Sequence, residues 1–209
     1  MKKVKILFQG DSITDGRRDK RNYHEMGSSY PKYASEIISK AHPDVDFEFI
    51  NFGISGNRTC QVFDRLYVDG LAFEPDIFSI LVGINDIWHR TAENGYIATT
   101  DAQIATNYRA ILERVRKESK AKVIMLQPYL LDAEETAFMR DELDRIIPVV
   151  DELAKEFADV YIPLDEKFKE AMKTQPVPRF YSVDGVHPNE NGARFIGELY
   201  AEAVKSLLE

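Results

Sequence analysis

The sequence holds a single cysteine, Cys60, so no internal disulfide framework can form. An unpaired cysteine is usually a small, inert core residue, and Cys60 is expected to be buried. Histidine is scarce as well: His24, His42, His89 and His187 are the only four, and no two have the i, i+4 spacing of a helical zinc motif. With no cysteine cluster to help, a metal site is not expected. Long apolar runs are also missing. Nothing approaches the roughly 20 residues of a membrane span, and the apolar stretch at the N-terminus stops at Phe8, too early for a secretory signal. A cytoplasmic location is the expectation. Basic residues are in the minority, 27 Lys and Arg against 35 Asp and Glu, for a net charge of −8. They form no long stripe, which argues against a nucleic-acid partner, and an acidic surface repels anionic membranes. There is no internal repeat, no low-complexity segment and no G-x-S-x-G elbow.

What is present fits one soluble domain over residues 1–209, with 44% hydrophobic and 30% charged residues. Short β-rich runs alternate with longer helical patterns. Val4 to Gln9, Phe47 to Phe52, Ile77 to Val82 and Val123 to Gln127 are strand candidates, with Val160 to Leu164 a weaker fifth. Each run is almost wholly apolar, as parallel strands buried on both faces tend to be. Tyr30, Tyr33, Ala34, Ile37, Ile38 and Ala41 share one helical face, with Ser29 placed to cap it. Ile104, Tyr108, Ile111, Leu112 and Val115 form a second stripe, and Thr100 and Gln103 before it have capping-box spacing. A third runs from Met139 to Phe157, where Pro148 is expected to kink or split the helix. Ile196, Leu199, Tyr200, Ala203 and Leu207 mark a closing helix. This alternation implies an α/β fold, a three-layer α/β/α sandwich around a parallel five-stranded sheet. Ligands bind such sheets beyond the carboxyl ends of the strands.

That rule directs attention to the residues after each strand. They read Gly10-Asp11-Ser12-Ile13-Thr14, Gly53-Ile54-Ser55-Gly56-Asn57 and Gly83-Ile84-Asn85-Asp86, with Asp184-Gly185-Val186-His187-Pro188 near the C-terminus. Ester hydrolysis needs a nucleophile, a base to take its proton, a carboxylate to orient the base, and donors for the oxyanion. Ser12, His187 and Asp184 can fill the first three roles. The backbone N–H groups of Ser12 and Gly53 and the side-chain amide of Asn85 can fill the fourth. Taken singly each piece has a plainer reading. Gly-Asp-Ser is a common helix entry, Gly53 a turn residue, Asn85-Asp86 a cap, Asp184 a turn residue and His187 a boundary histidine. Their conjunction, in this order and at strand ends, favours catalysis. An unperturbed histidine as base predicts that kcat/KM rises with a midpoint of about 6 to 7.

Those four blocks resemble the SGNH, or GDSL-like, hydrolase superfamily, whose serine, glycine, asparagine and histidine match Ser12, Gly53, Asn85 and His187, with Asp184 completing the triad. The resemblance runs from Val4 to the final helix. It implies a flavodoxin-like sandwich and needs neither a metal nor an organic cofactor. The longer runs Gly10 to Asp15, Gly53 to Asn57 and Gly83 to Trp88 resemble a branch of intracellular acetylxylan and acetyl-xylooligosaccharide esterases. Members of that branch often carry a tryptophan shortly before the catalytic aspartate, where this chain has Phe180 and Tyr181. The resemblance implies a small-molecule partner, an acetylated sugar, and a symmetric homo-oligomer is a prior from base rates and from the branch. A lysophospholipase or thioesterase and a non-catalytic sugar-binding module on the same fold are the alternatives.

Three other features have two readings each. Asp15 to Ser28 is charged and irregular, either a solvated loop or the rim of a substrate mouth. Trp88 either stacks on a sugar ring or anchors its loop. Arg58 and Arg90, in or near the site loops, either contact substrate or are solvated at the surface, and solvation is the expectation.

Overall fold

The computed structural model describes residues 2–91, 99–131 and 133–209. Five strands form the central sheet: β1 (Lys2–Gly10), β2 (Val45–Gly53), β3 (Ile77–Leu81), β4 (Lys122–Leu126) and β5 (Val160–Ile162). They lie in the order β2-β1-β3-β4-β5, and every pairing is parallel. This is the doubly wound, flavodoxin-like order, with its winding reversed between β1 and β3. The helices are α1 (Ser12–Asp15), α2 (Tyr30–Ala41), α3 (Thr59–Arg65), α4 (Ile84–Thr91), α5 (Asp101–Glu118), α6 (Arg140–Phe157), α7 (Leu164–Ala171), α8 (Pro178–Tyr181) and α9 (Glu190–Leu208). α2 packs on α9, and α5 packs on both α3 and α6. Right-handed crossovers leaving β1 and β3 in opposite directions put these two groups on opposite faces of the sheet. The three-layer sandwich expected from the sequence is what forms.

All five residues of β3 are buried, as are Val123 to Leu126 of β4 and Ile6 to Phe8 of β1. β2, at the edge, differs. Asp46 and Glu48 are exposed, and only its last four residues, Ile50 to Gly53, are buried. Its outer half therefore alternates as a half-covered strand does, and its buried half leads into the site. Between the sheet and the α2–α9 layer, Phe8 meets Tyr30 edge-on at 5.8 Å and Tyr200 at 5.0 Å. The buried Tyr200 hydroxyl is satisfied by Ser79 at 3.1 Å, and the Ser79 hydroxyl donates to the Leu7 carbonyl at 3.0 Å.

The local signals fare unevenly. The Thr100–Gln103 capping box forms with both arms in place, at 2.8 and 3.2 Å. Ser29 stands at the N-cap of α2, but its hydroxyl donates to the Ile13 carbonyl at 2.6 Å, so it ties α2 to α1 instead of capping. Pro148 does not split α6, which runs from Arg140 to Phe157. Pro148 is on the exposed face. Water can therefore take the carbonyl it leaves unpaired, while Leu143, Ile146, Val150 and Leu153 hold both halves to the core. Cys60 is half-buried on α3, not sunk in the core as expected. No described helix is long and apolar enough to cross a membrane.

The carboxyl edge is packed backbone to backbone. A methyl group on Gly53 would lie 2.1 Å from the Asp15 nitrogen and 2.5 Å from the Thr14 carbonyl carbon. Backbone atoms cannot step aside as a flexible side chain can. Gly53→Ala is therefore expected to lower unfolding free energy by about 1–3 kcal/mol or more, read as a lower urea midpoint.

Candidate active site

The β1 strand ends at Gly10, and Asp11 caps the short helix that follows by accepting the Ile13 N–H at 3.0 Å. Ser12 is thereby set at the first position of α1, beyond the carboxyl edge of the sheet. The Asp184–His187 turn meets it from the far end of the chain. Asp184 Oδ1 accepts the backbone N–H groups of Val186 and His187 at 2.9 and 2.7 Å. Its Oδ2 lies 2.6 Å from His187 Nδ1, and His187 Nε2 lies 2.9 Å from the Ser12 hydroxyl. A carboxylate can only accept, so Nδ1 carries the proton and Nε2 faces the hydroxyl as an acceptor. The structure thus brings Ser12, His187 and Asp184 into one hydrogen-bonded series, across 175 residues of sequence.

The turn is braced from beneath. Ser182 Oγ accepts the Gly185 N–H at 2.8 Å and donates to the His187 carbonyl at 2.8 Å. The Tyr129 hydroxyl holds the Val186 carbonyl at 2.9 Å, and the Leu131 N–H holds that of Gly185 at 2.8 Å. Burial by itself would push the Asp184 carboxyl up. The His187 imidazole and the two backbone donors outweigh it and hold the group down at about 2. In return the Asp184 hydrogen bond raises His187 above the ordinary histidine value, against an opposing effect of burial.

Asn85 opens α4 after β3. One hydrogen of its amide goes to the Asn57 carbonyl at 3.1 Å, and the residue lines the same cleft as Ser12 and His187. Gly53 does not join them. Its N–H donates to Asn51 Oδ1 at 2.8 Å, and its carbonyl takes the Arg18 Nε–H at 3.2 Å. Its lack of a side chain serves the contact with α1 described above, not an approach to substrate. The glycine of that loop that reaches the cleft is Gly56, with φ of +82° and with no backbone hydrogen bond from its N–H among the described residues. The sequence offered both glycines in one loop. Being last in a strand ties Gly53 into packing, whereas being in the turn leaves Gly56 open.

Arg65 had no distinguishing signal, since Arg65 and Asp69 read as an ordinary i, i+4 surface pair. Besides that pair, at 3.4 Å, its guanidinium donates to the Gly10 carbonyl at 3.0 Å, the Phe52 carbonyl at 2.8 Å and Asn57 Oδ1 at 2.7 Å. One planar fork thus joins the ends of β1 and β2 to the residue whose carbonyl holds Asn85. Asp11, fully buried beside Ser12, is pushed up to about 7 by burial, with partial relief from the Ile13 N–H. Asp86 is raised by burial too, and accepts from both the N–H and the hydroxyl of Thr59, at 2.9 and 2.8 Å.

The cleft has a volume of about 970 Å³. Tyr33, Trp88 and Val183 give it apolar walls, and Ser28, Ser55 and Asn189 give it polar ones. The Trp88 ring is 5.9 Å from that of His187. Gly16, Arg17 and Ser28 line it, so the Asp15–Ser28 segment borders the mouth. Asp15 pins that segment by accepting from the Ser55 N–H and hydroxyl at 2.9 and 2.7 Å. Neither Arg58 nor Arg90 is a free surface cation. Arg58 donates to the Thr99 hydroxyl at 3.2 Å, and Arg90 pairs with Asp101 and Glu142. Phe180 and Tyr181 lie outside the cleft lining.

A doubly wound sheet with a hydroxyl, imidazole and carboxylate aligned at its carboxyl edge is the architecture of an ester hydrolase, and comparison with known proteins identifies the chain as a carboxylic ester hydrolase. The chain belongs to the GDSL-like lipase/acylhydrolase family, whose model matches residues 8–195. It is 28% identical over 207 residues to an acetylxylan esterase of Geobacillus stearothermophilus, covering 96% of this chain and 93% of that one. A second acetylxylan esterase, from Xylanibacter ruminicola, is 29% identical over 97% of this chain, which spans 43% of that longer protein. A crystal structure of an acetylxylan esterase from Geobacillus stearothermophilus superposes with a TM-score of 0.87, at 26% identity, over 96% of this chain and 94% of that one. That esterase has also been solved as catalytic mutants in which a serine, an aspartate or a histidine is replaced by alanine. The resemblance drawn from the motifs is borne out.

Only neutral His187 can take a proton from Ser12, and Asp184 holds the imidazolium to higher pH. The rise in kcat/KM is therefore expected above the ordinary value of about 6.5, not centred at 6 to 7, and Asp184→Asn is expected to shift it to lower pH while reducing kcat about 10⁴-fold. The same pair affects stability in opposite senses. The contribution of Asp184 is complete above its unfolded value of about 3.9 and is lost as pH falls towards 2, while that of charged His187 is complete below about 6.5 and is lost as pH rises through its raised value. For the clamp, Arg65→Met is expected to lower kcat/KM about 10²-fold, the scale of a displacement of about 1 Å. It is also expected to destabilise the fold by about 1.5–3 kcal/mol in urea titration.

Proposed function

We propose that this chain, acting as a single catalytic domain over residues 1–209, hydrolyses small O-acyl esters, first among them O-acetyl groups on carbohydrates such as xylo-oligosaccharides. The observation that carries the reading is the series Ser12 Oγ, His187 Nε2, His187 Nδ1 and Asp184 Oδ2, with gaps of 2.9 and 2.6 Å, opening onto the cleft. Ser12 attacks the ester carbonyl carbon as His187 takes the hydroxyl proton, and Asp184 stabilises the imidazolium without being protonated itself. The N–H groups of Ser12 and Gly56 and the free hydrogen of the Asn85 amide receive the oxyanion. Collapse of the tetrahedral intermediate expels the sugar alkoxide, which takes the proton from His187. Water, deprotonated by the same imidazole, then attacks the acetyl carbon, and acetate leaves as the imidazolium returns the proton to the Ser12 oxygen.

Gly56 stands here in the place first given to Gly53, because the Gly53 N–H is already committed to Asn51. Trp88 offers a face on which a sugar ring can stack beside the ester. The mixed lining of the cleft favours a sugar over a long acyl chain, and the relatives named as acetylxylan esterases favour the same substrate class. Ser12→Ala is expected to cut acetate release from acetylated xylose at least 10³-fold, measured enzymatically as free acetate. A nitrophenyl ester series is expected to peak at acetyl. A peak at octanoyl would instead identify a lysophospholipase-type acyl hydrolase.

A further inference from the structure

We propose that Arg17 forms an anion subsite at the mouth of the cleft, and that it takes the carboxylate of a uronic-acid substituent carried by the acetylated saccharide. The proposal rests on the esterase reading above and names a substrate class within it.

The backbone at this point is unusual. Gly16 and Arg17 are consecutive residues of positive φ, +54° and +60°. A left-handed conformation is easy for glycine and unfavourable for arginine, so the surrounding turn must impose it. It does so through the Arg18 N–H on the Asp15 carbonyl at 3.0 Å, and through the Ser28 N–H and hydroxyl on the Gly16 carbonyl at 2.8 and 3.0 Å. Arg18, 7% exposed, turns inward to the Gly53 carbonyl. Arg17 is exposed and lines the cleft that contains Ser12 and His187.

Its charge is also uncommitted. No ion pair or hydrogen bond from the Arg17 guanidinium is present among the described residues. The carboxylates lining the same cleft are occupied: Asp184 by His187, and Glu190 by Arg194 at 3.6 Å. Among the described residues Arg17 is thus the one permanent cation in the lining, and it acts close enough to His187 to oppose the imidazole's protonation. A guanidinium presents parallel N–H groups that match a carboxylate in a bidentate pair. On an acetylated oligosaccharide of neutral pentoses, the class proposed above, a uronic-acid substituent supplies the carboxylate. A fixed cation at the rim then anchors such a substrate with its ester over Ser12.

The test compares kcat/KM for two acetylated xylo-oligosaccharides of equal length, one neutral and one bearing a glucuronic acid. Asparagine tolerates left-handed backbone, so Arg17→Asn removes the cation while keeping the turn. The ratio of acidic to neutral kcat/KM is expected to fall about 10-fold in Arg17→Asn, with Arg17→Lys between it and wild type. Arg21→Gln makes the same charge change on the same segment, at a side chain 91% exposed, and is expected to leave the ratio as it is. Equal losses on both substrates in Arg17→Asn, or a ratio that does not move, would overturn the proposal. A binding measurement separates this outcome from failure of the esterase reading. Calorimetry with the deacetylated acidic oligosaccharide and Ser12→Ala protein is expected to show binding that Arg17→Asn, added to that background, weakens about 10-fold. Protein that releases no acetate yet gives this result would sink the esterase reading and keep the subsite. Activity without the selectivity and without the binding difference would do the reverse.

Discussion

Between β1 and β3 the sheet reverses the direction in which it is wound, and the chain leaving each strand must turn away from its neighbour. The crevice that remains is the only ground on which residues from β1, β2 and β3 loops can meet without crossing a connection. Ser12, Gly56 and Asn85 each come from one of those three loops. Parallel strands also align their carboxyl ends, with Gly10 opposite both Gly53 and Leu81. Register along the sheet therefore becomes proximity at its edge.

Proximity alone would leave the loops free to drift. Three polar groups hold them at hydrogen-bonding distance. Arg65 spans the ends of β1 and β2 and reaches Asn57. Asn51 receives the Gly53 N–H and donates to the Thr14 carbonyl. Asp15, the last residue of α1, accepts both the N–H and the hydroxyl of Ser55. Each satisfies backbone groups that the strand ladder has released, so the same bonds that relieve burial also fix geometry. In the Asp184–His187 turn, braced from outside by Tyr129 and Leu131, the key carboxylate finds its own partners locally. Its carboxylate accepts three hydrogen bonds from within four residues, which keeps it ionised and aims the imidazole before any substrate is present.

Much of this was legible in the chain because the physics involved is local. Buried strands read as apolar runs, and the β3 run Ile77 to Leu81 has its whole length in the core. Thr100 and Gln103 cap α5 because a box needs only four residues. Asp184 and His187 are three apart and meet in one turn. The errors share a different cause. Ser29 had the right type and position for a cap, but the Ile13 carbonyl competes for its hydroxyl. Pro148 lacks its N–H as expected, yet the helix persists because packing on either side outweighs one missing bond. Gly53 and Gly56 are alike in sequence, and only the Asn51 side chain and the α1 backbone tell them apart.

Periodicity and neighbours along the chain were enough for the alternation of elements, the class of fold, the residue types needed for the chemistry and the short Asp-to-His spacing. Long-range packing settled which glycine of the loop after β2 faces the cleft, that Arg65 is a half-buried clamp, and that Arg17 looks into the mouth while Arg18 looks away. Those outcomes turn on partners tens of residues distant, competing for the same hydrogen-bonding groups, and no local pattern records who wins.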